Sequence, residues 1–280
     1  KGSCLVKKKH VKKALLLSGI LALVVFLSAC GATGEVSANS TGIWDRYIVW
    51  NFARAIRALS FGNAGIGIIL FTLIVRIILM PLMHFQTKSM RKTQELQPKI
   101  KALQAKYSSR DQETQQKLQE ETKKLYAENN VSPYAGCLPL LVQMPVMMAL
   151  YQAILRIPEL RAGHFLWLNL SEADPYFILP ILAAVFTFAS TYLSSMSQIE
   201  SNASMKIMNF AMPVMIFVMA LNLASGLSLY WVISNAFQVV QTLLINNPFK
   251  IRREREEAAR QIRERERALE KAKRSKKKRK

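Results

Sequence analysis

Residues Phe61–Met83 read FGNAGIGIILFTLIVRIILMPLM, an apolar stretch interrupted by a single charge, Arg76. At ~1.5 Å of rise per residue such a run is long enough to cross ~30 Å of hydrocarbon as a helix. A guanidinium at mid-depth costs roughly 2.5–3.5 kcal/mol on insertion scales, and it cannot escape by losing its proton. The usual relief is a carboxylate on a neighbouring helix. No Asp or Glu occurs in any of the other apolar runs, so Arg76 must meet water, backbone carbonyls or a group from outside the chain.

Those runs follow at about 135–156, 175–195, 208–224 and 227–246. The 280 residues are 51% hydrophobic, with apolar runs separated by charged blocks, the pattern of an all-α protein that crosses a membrane several times. Polar residues on the runs fall into stripes. Thr72 and Arg76 share a face with Gly65, and Gln143 and Gln152 place amides on the second run. Thr187, Ser190, Thr191, Ser194 and Gln198 line one face of the third, while Ser228, Trp231, Asn235, Gln238 and Thr242 line one face of the last, with Gln241 adjoining. Such stripes can be interhelical glue. The unpaired charge favours a second reading, a wet groove around Arg76 lined by Thr72, Gln143, Thr191, Ser194, Trp231, Asn235 and Gln238.

A methionine stripe, Met205, Met208, Met212, Met215 and Met219, repeats at spacings of three and four, with Met144, Met147 and Met148 on another run. Ordinary packing is the plainer account; contact with varied apolar partners is the other. Pro139, Pro145, Pro180 and Pro213 are candidate kinks, which helix bundles tolerate.

Residues 1–29 have the form of a signal peptide: a lysine-rich start, the apolar run Ala14–Leu27, then Leu27-Ser28-Ala29 before Cys30. The segment resembles a bacterial lipoprotein signal, which makes Cys30 the acylated mature N-terminus, palmitate being an expected acyl group. An uncleaved first helix with an incidental cysteine is the alternative. Residues 30–60 then hold a small polar tether and an amphipathic helix, Ile43–Leu59, with Trp44, Tyr47, Ile48, Phe52, Ile56 and Leu59 on its apolar face, lying on the outer interface. The block 84–134 is rich in Lys, Gln and Glu. Leucine spacing at Leu96, Ile100 and Leu103 and at Leu118 and Leu125 predicts a coiled-coil-like hairpin turning at Ser108–Asp111, its first helix starting or bending at Pro98. From Lys250 to Lys280 there are 16 Lys/Arg against 6 Asp/Glu, ending in Arg274, Lys276, Lys277, Lys278, Arg279 and Lys280. This tail, 247–280, suits anionic lipid or the phosphates of ribosomal RNA, and its composition does not choose between them. Basic residues are dense in 84–133 and in the tail but sparse elsewhere, so the N-terminus is expected outside and the C-terminus in the cytoplasm of a bacterial plasma-membrane protein.

Asn130-Val131-Ser132-Pro133-Tyr134-Ala135-Gly136-Cys137-Leu138-Pro139, continuing through Gln143-Met144-Pro145, resembles the signature that enters the second core span of the YidC membrane-protein insertases. Arg76 matches the arginine of that family's first core span. The resemblance covers about 43–250, and the lipoprotein-type leader and long basic tail are similar to the Gram-positive form. It implies a five-transmembrane-helix core bundle, spans 61–83 and four within 135–246, with a cytoplasmic helical hairpin and an outer amphipathic helix. It further implies a groove open to cytoplasm and lipid that receives nascent or completed membrane-protein substrates. The hairpin would recruit them, the tail would hold the ribosome, and the Sec channel would be a further partner. A secondary transporter with an anion site at Arg76 is the competing class, although no internal repeat supports it. No enzyme motif, cofactor site or metal-ligand cluster stands out: GxSxG, HExxH and P-loop patterns do not occur, and His84 and His164 are isolated.

Overall fold

A computed structural model describes residues 34–109, 111–132, 138–196, 203–245 and 247–278. Cys30 and the leader, the stretch 133–137 with Cys137, Gln198, and Arg279 and Lys280 lie outside the described residues. Helices are numbered in chain order. The first, α1 (Trp44–Val49), is wound as a π-helix and runs directly into α2 (Trp50–Ala58). The long α3 (Ala64–Glu95) carries the Arg76 stretch and continues well past Met83. It starts where Asn63, in extended backbone, accepts the Gly65 and Ile66 amides, the polar cap that frees a helix start of its orphan donors.

The charged block forms α4 (Gln97–Lys106) and α5 (Gln112–Glu128). Pro98 sits in the first turn of α4, where its missing N–H has no bond to break. Asp111 caps α5 by accepting the Thr114 amide at 2.8 Å. The chain reverses between the two helices, so that Leu96 and Ile100 pack with Val131, Leu125 and Tyr126. Then come α6 (Leu138–Arg156), the single turn α7 (Pro158–Arg161), and strands β1 (His164–Phe165) and β2 (Leu168–Asn169), paired antiparallel. The chain ends with α8 (Ile178–Met196), α9 (Ala203–Ala220), α10 (Ser225–Ile245) and the basic α11 (Pro248–Lys278).

At the centre is α10, packed against α8, α3 and α6, with Leu227, Tyr230, Val232 and Ser234 buried. One end of the bundle is capped. There Val49, Ala53 and Ile56 meet Ile68, Ala149, Ile154 and Leu170 in the apolar core. Close approach at this end depends on glycine. A Cβ on Gly67 would lie 2.4 Å from the Ile56 carbonyl oxygen, and one on Gly65 would lie 2.2 Å from the Phe165 ring. The segment after β2 closes over the start of α10, the Gly226 amide donating to the Leu170 carbonyl and the Ser225 amide to that of Glu172. Asp174, fully buried, accepts from Trp167 Nε1 and from the Tyr176 and Leu179 amides, which starts α8.

The structure departs from sequence expectation in several places. The amphipathic segment packs on the core through Trp44, Ile48, Phe52, Ile56 and Leu59 as expected, adds Val49 and Ala53, and leaves only Tyr47 of the expected face exposed. The π-winding of α1 shifts the register of its side chains, which a 3.6-residue period does not anticipate. Met212, Met215 and Met219 are exposed, while Pro213, Ile216 and Ala220 of the same helix are buried; Met147 and Met148 of α6 pack against the apolar core, as ordinary packing predicts. Met205 and Met208 lie outside the described side chains. Pro145 and Pro213 are internal to their helices, whereas Pro139 and Pro180 fall in first turns and kink nothing.

Candidate functional site

Three polar contacts radiate from α10, one to each neighbouring helix. Gln143 of α6 donates its Nε2 to the Tyr230 hydroxyl at 2.7 Å. The Ser190 hydroxyl of α8 donates to Asn235 Oδ1 at 3.3 Å, while Asn235 Nδ2 donates to the Trp231 carbonyl. Arg76 of α3 donates from Nη1 to Gln238 Oε1 at 3.5 Å, the outer limit of a hydrogen bond. Arg76 is half-buried and makes no ion pair among the described residues. Thr187, Ser228, Ser234 and Gln241 each bury a side-chain oxygen without a hydrogen-bond partner among the described residues. Each such atom costs about 1–3 kcal/mol where the surroundings are dry.

Of the residues expected in the groove, Arg76, Gln143, Trp231, Asn235 and Gln238 are half-buried along these contacts. Thr191 and Ser194 are half-buried on α8, and the Thr191 hydroxyl is turned to the Thr187 and Phe188 carbonyls of its own helix. Thr72 is fully buried and donates to the Ile68 carbonyl at 2.6 Å, which removes it from any open surface. Gly65 is packed beneath Phe165. Gln152 belongs to the capped end, where it accepts from Trp44 Nε1 and Arg156 Nη1. Arg274, Lys276, Lys277 and Lys278 fall within α11, their side chains outside the described set.

In the sequence, Tyr230 carries no polar signal of its own, and Ser190 is one member of a stripe. An amide in an apolar helix needs a partner, and a tyrosine hydroxyl is one of the few candidates nearby in such a bundle. The exterior is apolar: Ile77 and Ile78 of α3, Ile181 and Val185 of α8, Val214 and Val218 of α9, and Val240 and Leu244 of α10 all face outward. Three helical runs among the described residues, Ala64–Lys106, Ile178–Met196 and Ser225–Lys271, are long and apolar enough to cross a membrane, and Leu141–Arg156 and Asn209–Ala220 are shorter apolar helices.

The model of the 60Kd inner membrane protein family matches residues 56–254. The membrane protein insertase YidC of Enterococcus faecalis is 72% identical over 271 residues, covering 96% of this chain and 98% of that one. The chain belongs to the YidC family. Membrane protein insertase YidC 1 of Streptococcus pyogenes serotype M3 is 52% identical over 260 residues, covering 92% of this chain and 94% of its own. A crystal structure described as an active YidC insertase with its first transmembrane domain resolved is 31% identical, with a TM-score of 0.56 over 74% of this chain and 48% of that longer one. Membership of the YidC family and the outward-facing apolar helices together make this a multi-pass membrane protein.

Proposed function

We propose that the chain is a membrane-protein insertase working through a polar groove around Arg76. The observation that carries this reading is a guanidinium within an apolar bundle, with no carboxylate paired to it among the described residues and one long contact, to Gln238. Its missing partner is then the acidic segment of a substrate, held briefly and released as the substrate's apolar stretch moves into lipid between α8 and α10. Trp231, Asn235 and Gln238 of α10, Gln143 of α6, and Thr191 and Ser194 of α8 line the path. Hydration near Arg76 lowers the desolvation cost of the moving carboxylate.

In this reading α3, α6, α8, α9 and α10 cross the membrane, the capped end faces outward, and α4 and α5 form a cytoplasmic hairpin that recruits substrate. The tail α11, through its terminal Lys/Arg cluster, meets ribosomal RNA or anionic lipid, the Sec channel is a further partner, and Cys30 carries the lipid anchor. The test is insertion into liposomes of a single-span protein with an acidic outer segment, without ATP. Arg76→Lys is expected to retain most activity and Arg76→Ala to lose it for acidic segments while sparing neutral ones. Normal insertion of acidic segments by Arg76→Ala refutes the groove mechanism. Saturable uptake of a small anion without protein insertion would instead favour a transporter.

A further inference from the structure

Four non-glycine residues among those described have a positive φ: Phe61 (45°), Asn130 (51°), Leu166 (53°) and Phe177 (58°). Asparagine tolerates that left-handed backbone because its short polar side chain bonds locally, whereas bulky apolar residues adopt it at a steric cost. Asn130 lies just after the charged hairpin. The other three lie at the capped end, and each is exposed there: Phe61 by 81%, Leu166 by 73% and Phe177 by 50%.

Each occupies a place where turn chemistry favours glycine or a small polar residue. Phe61 and Gly62, with φ of 45° and 88°, are the central pair of a turn that the Asn63 amide closes on the Ser60 carbonyl, just before α3. Primed turns of that kind usually carry Asn-Gly. Leu166 and Trp167 form the two-residue loop between the paired Phe165 and Leu168, and the first position of such a loop is the one that needs a positive φ. Phe177 immediately precedes α8, whose first turn is capped by Asp174 instead. The three turns are joined in space. Phe165 packs over Gly65 at the start of α3, and the Trp167 and Tyr176 rings meet edge to face with centroids 6.4 Å apart. Trp167 Nε1 donates to buried Asp174, so this ring has no polar atom in need of water.

A strained turn that holds a bulky apolar side chain away from the core is unfavourable in water on two counts, backbone strain and exposed apolar area. The combination is favourable where the side chain meets apolar surroundings outside the fold. The lipid-facing exterior is continuous with these residues: Ile178, Ile181 and Val185 extend the exposed face of α8 directly from Phe177. Trp167 and Tyr176, both exposed, add the amphipathic rings that are enriched at headgroup depth.

We infer that Phe61, Leu166 and Phe177, flanked by Trp167 and Tyr176, form an anchoring rim that inserts into the lipid leaflet at the capped end, at the boundary between headgroups and acyl chains. The rim holds the start of α3 at that level. Arg76, on the same helix as Ala64, then lies about 18 Å deeper along the helix axis. This anchoring does not depend on what the groove carries.

The experiment uses the full chain in lipid nanodiscs of phosphatidylcholine and phosphatidylglycerol, a single copy per disc with both faces open to buffer. The phosphatidylcholine is plain, brominated just below the headgroup, or brominated near the chain ends. The Trp167 share of the fluorescence is the difference between wild type and Trp167→Phe. Shallow bromines are expected to quench that share roughly two- to fivefold more than deep bromines or iodide in the buffer, as for a ring at the interface. Quenching mainly by iodide places the rim in water and overturns the proposal. Equal quenching by shallow and deep bromines, or none by any quencher, overturns it as well. A second variant combines Phe61→Asn, Leu166→Asn and Phe177→Asn, which suit the backbone but not the acyl chains. Its melting temperature in detergent should be unchanged or raised, while shallow-bromine quenching of Trp167 falls by roughly half or more and iodide quenching rises. Wild-type quenching in that variant would show that the three residues do not set the depth of the rim. A marked fall in its melting temperature would show that the fold, not lipid, holds their side chains; either result overturns the proposal.

Discussion

Arg156 and Asp45 form the ion pair on which the capped end should most depend. Arg156 Nη2 lies 2.7 Å from Asp45 Oδ2 and Nη1 lies 3.0 Å from Oδ1, a two-pronged contact between side chains only 11% and 14% exposed. The same guanidinium donates to the Gly34 carbonyl at 2.7 Å and to Gln152 Oε1 at 3.1 Å. Asp45→Ala removes the countercharge but leaves Arg156 enclosed, with only neutral acceptors. Breaking a buried pair from one side costs about 3–5 kcal/mol. The retained acceptors place this case near the lower limit, about 3 kcal/mol. At ~2–4 °C per kcal/mol for a chain of this order of size, the melting temperature in detergent should fall by about 6–12 °C. Replacing both partners, Asp45→Leu with Arg156→Met, removes the stranded charge together with its partner and should recover most of that loss. The assay is a double-mutant cycle on thermal unfolding, followed by tryptophan fluorescence because Trp44 is packed beside the pair through Gln152. Single variants within 1 kcal/mol of wild type, adding without coupling in the double, would show that the contact is solvated and would refute the reasoning.

Two further predictions concern local geometry. Gly67→Ala should destabilise by about 1–3 kcal/mol, the usual cost of overpacking, because the new methyl meets backbone at 2.4 Å, while Gly34→Ala, with nothing within 4 Å, should be silent in the same thermal assay. The Asp111 carboxyl is held down at about 2, first by the Ser109 hydroxyl and then by the Thr114 amide. Its folded value lies below the ~3.9 of a free aspartate. The contribution to α5 is therefore complete above that value and is lost as pH falls through about 2. A carboxyl NMR titration of the full chain checks this, and a midpoint near ~3.9 would show that the cap does not form in solution.

Hydropathy located α6, α8, α9 and α10 to within about a turn, because partition of a long apolar run into lipid is additive along the sequence, but not the polar continuation of α3 to Glu95. Local chemistry was equally readable: Pro98 in a first turn, and the reversal around Ser108–Asp111. The faces of the helices were harder. Gly65, which shares a face with Arg76 by its spacing, admits Phe165 from a strand about a hundred positions later. Met212, Met215 and Met219 have the spacing of a packed face yet point outward, because in lipid the exterior of a helix is as apolar as its interior and periodicity loses its sign. Tyr230 escaped notice since nothing near it in sequence announces Gln143.

What the sequence determined by itself is the set of apolar segments, their order, and the presence of a cation in the middle of one of them, each a property of one continuous stretch of chain. Which carboxylate would neutralise Arg156 was decided only when α1 came to lie on α6; which hydroxyl would answer Gln143, and that Arg76 would find an amide but no acid among the described residues, only when α10 came to lie among α3, α6 and α8. Pairing of this kind depends on distances between segments far apart in sequence. Those distances are set by close packing around small residues such as Gly67 and Gly226, not by the local preferences of the residues that meet.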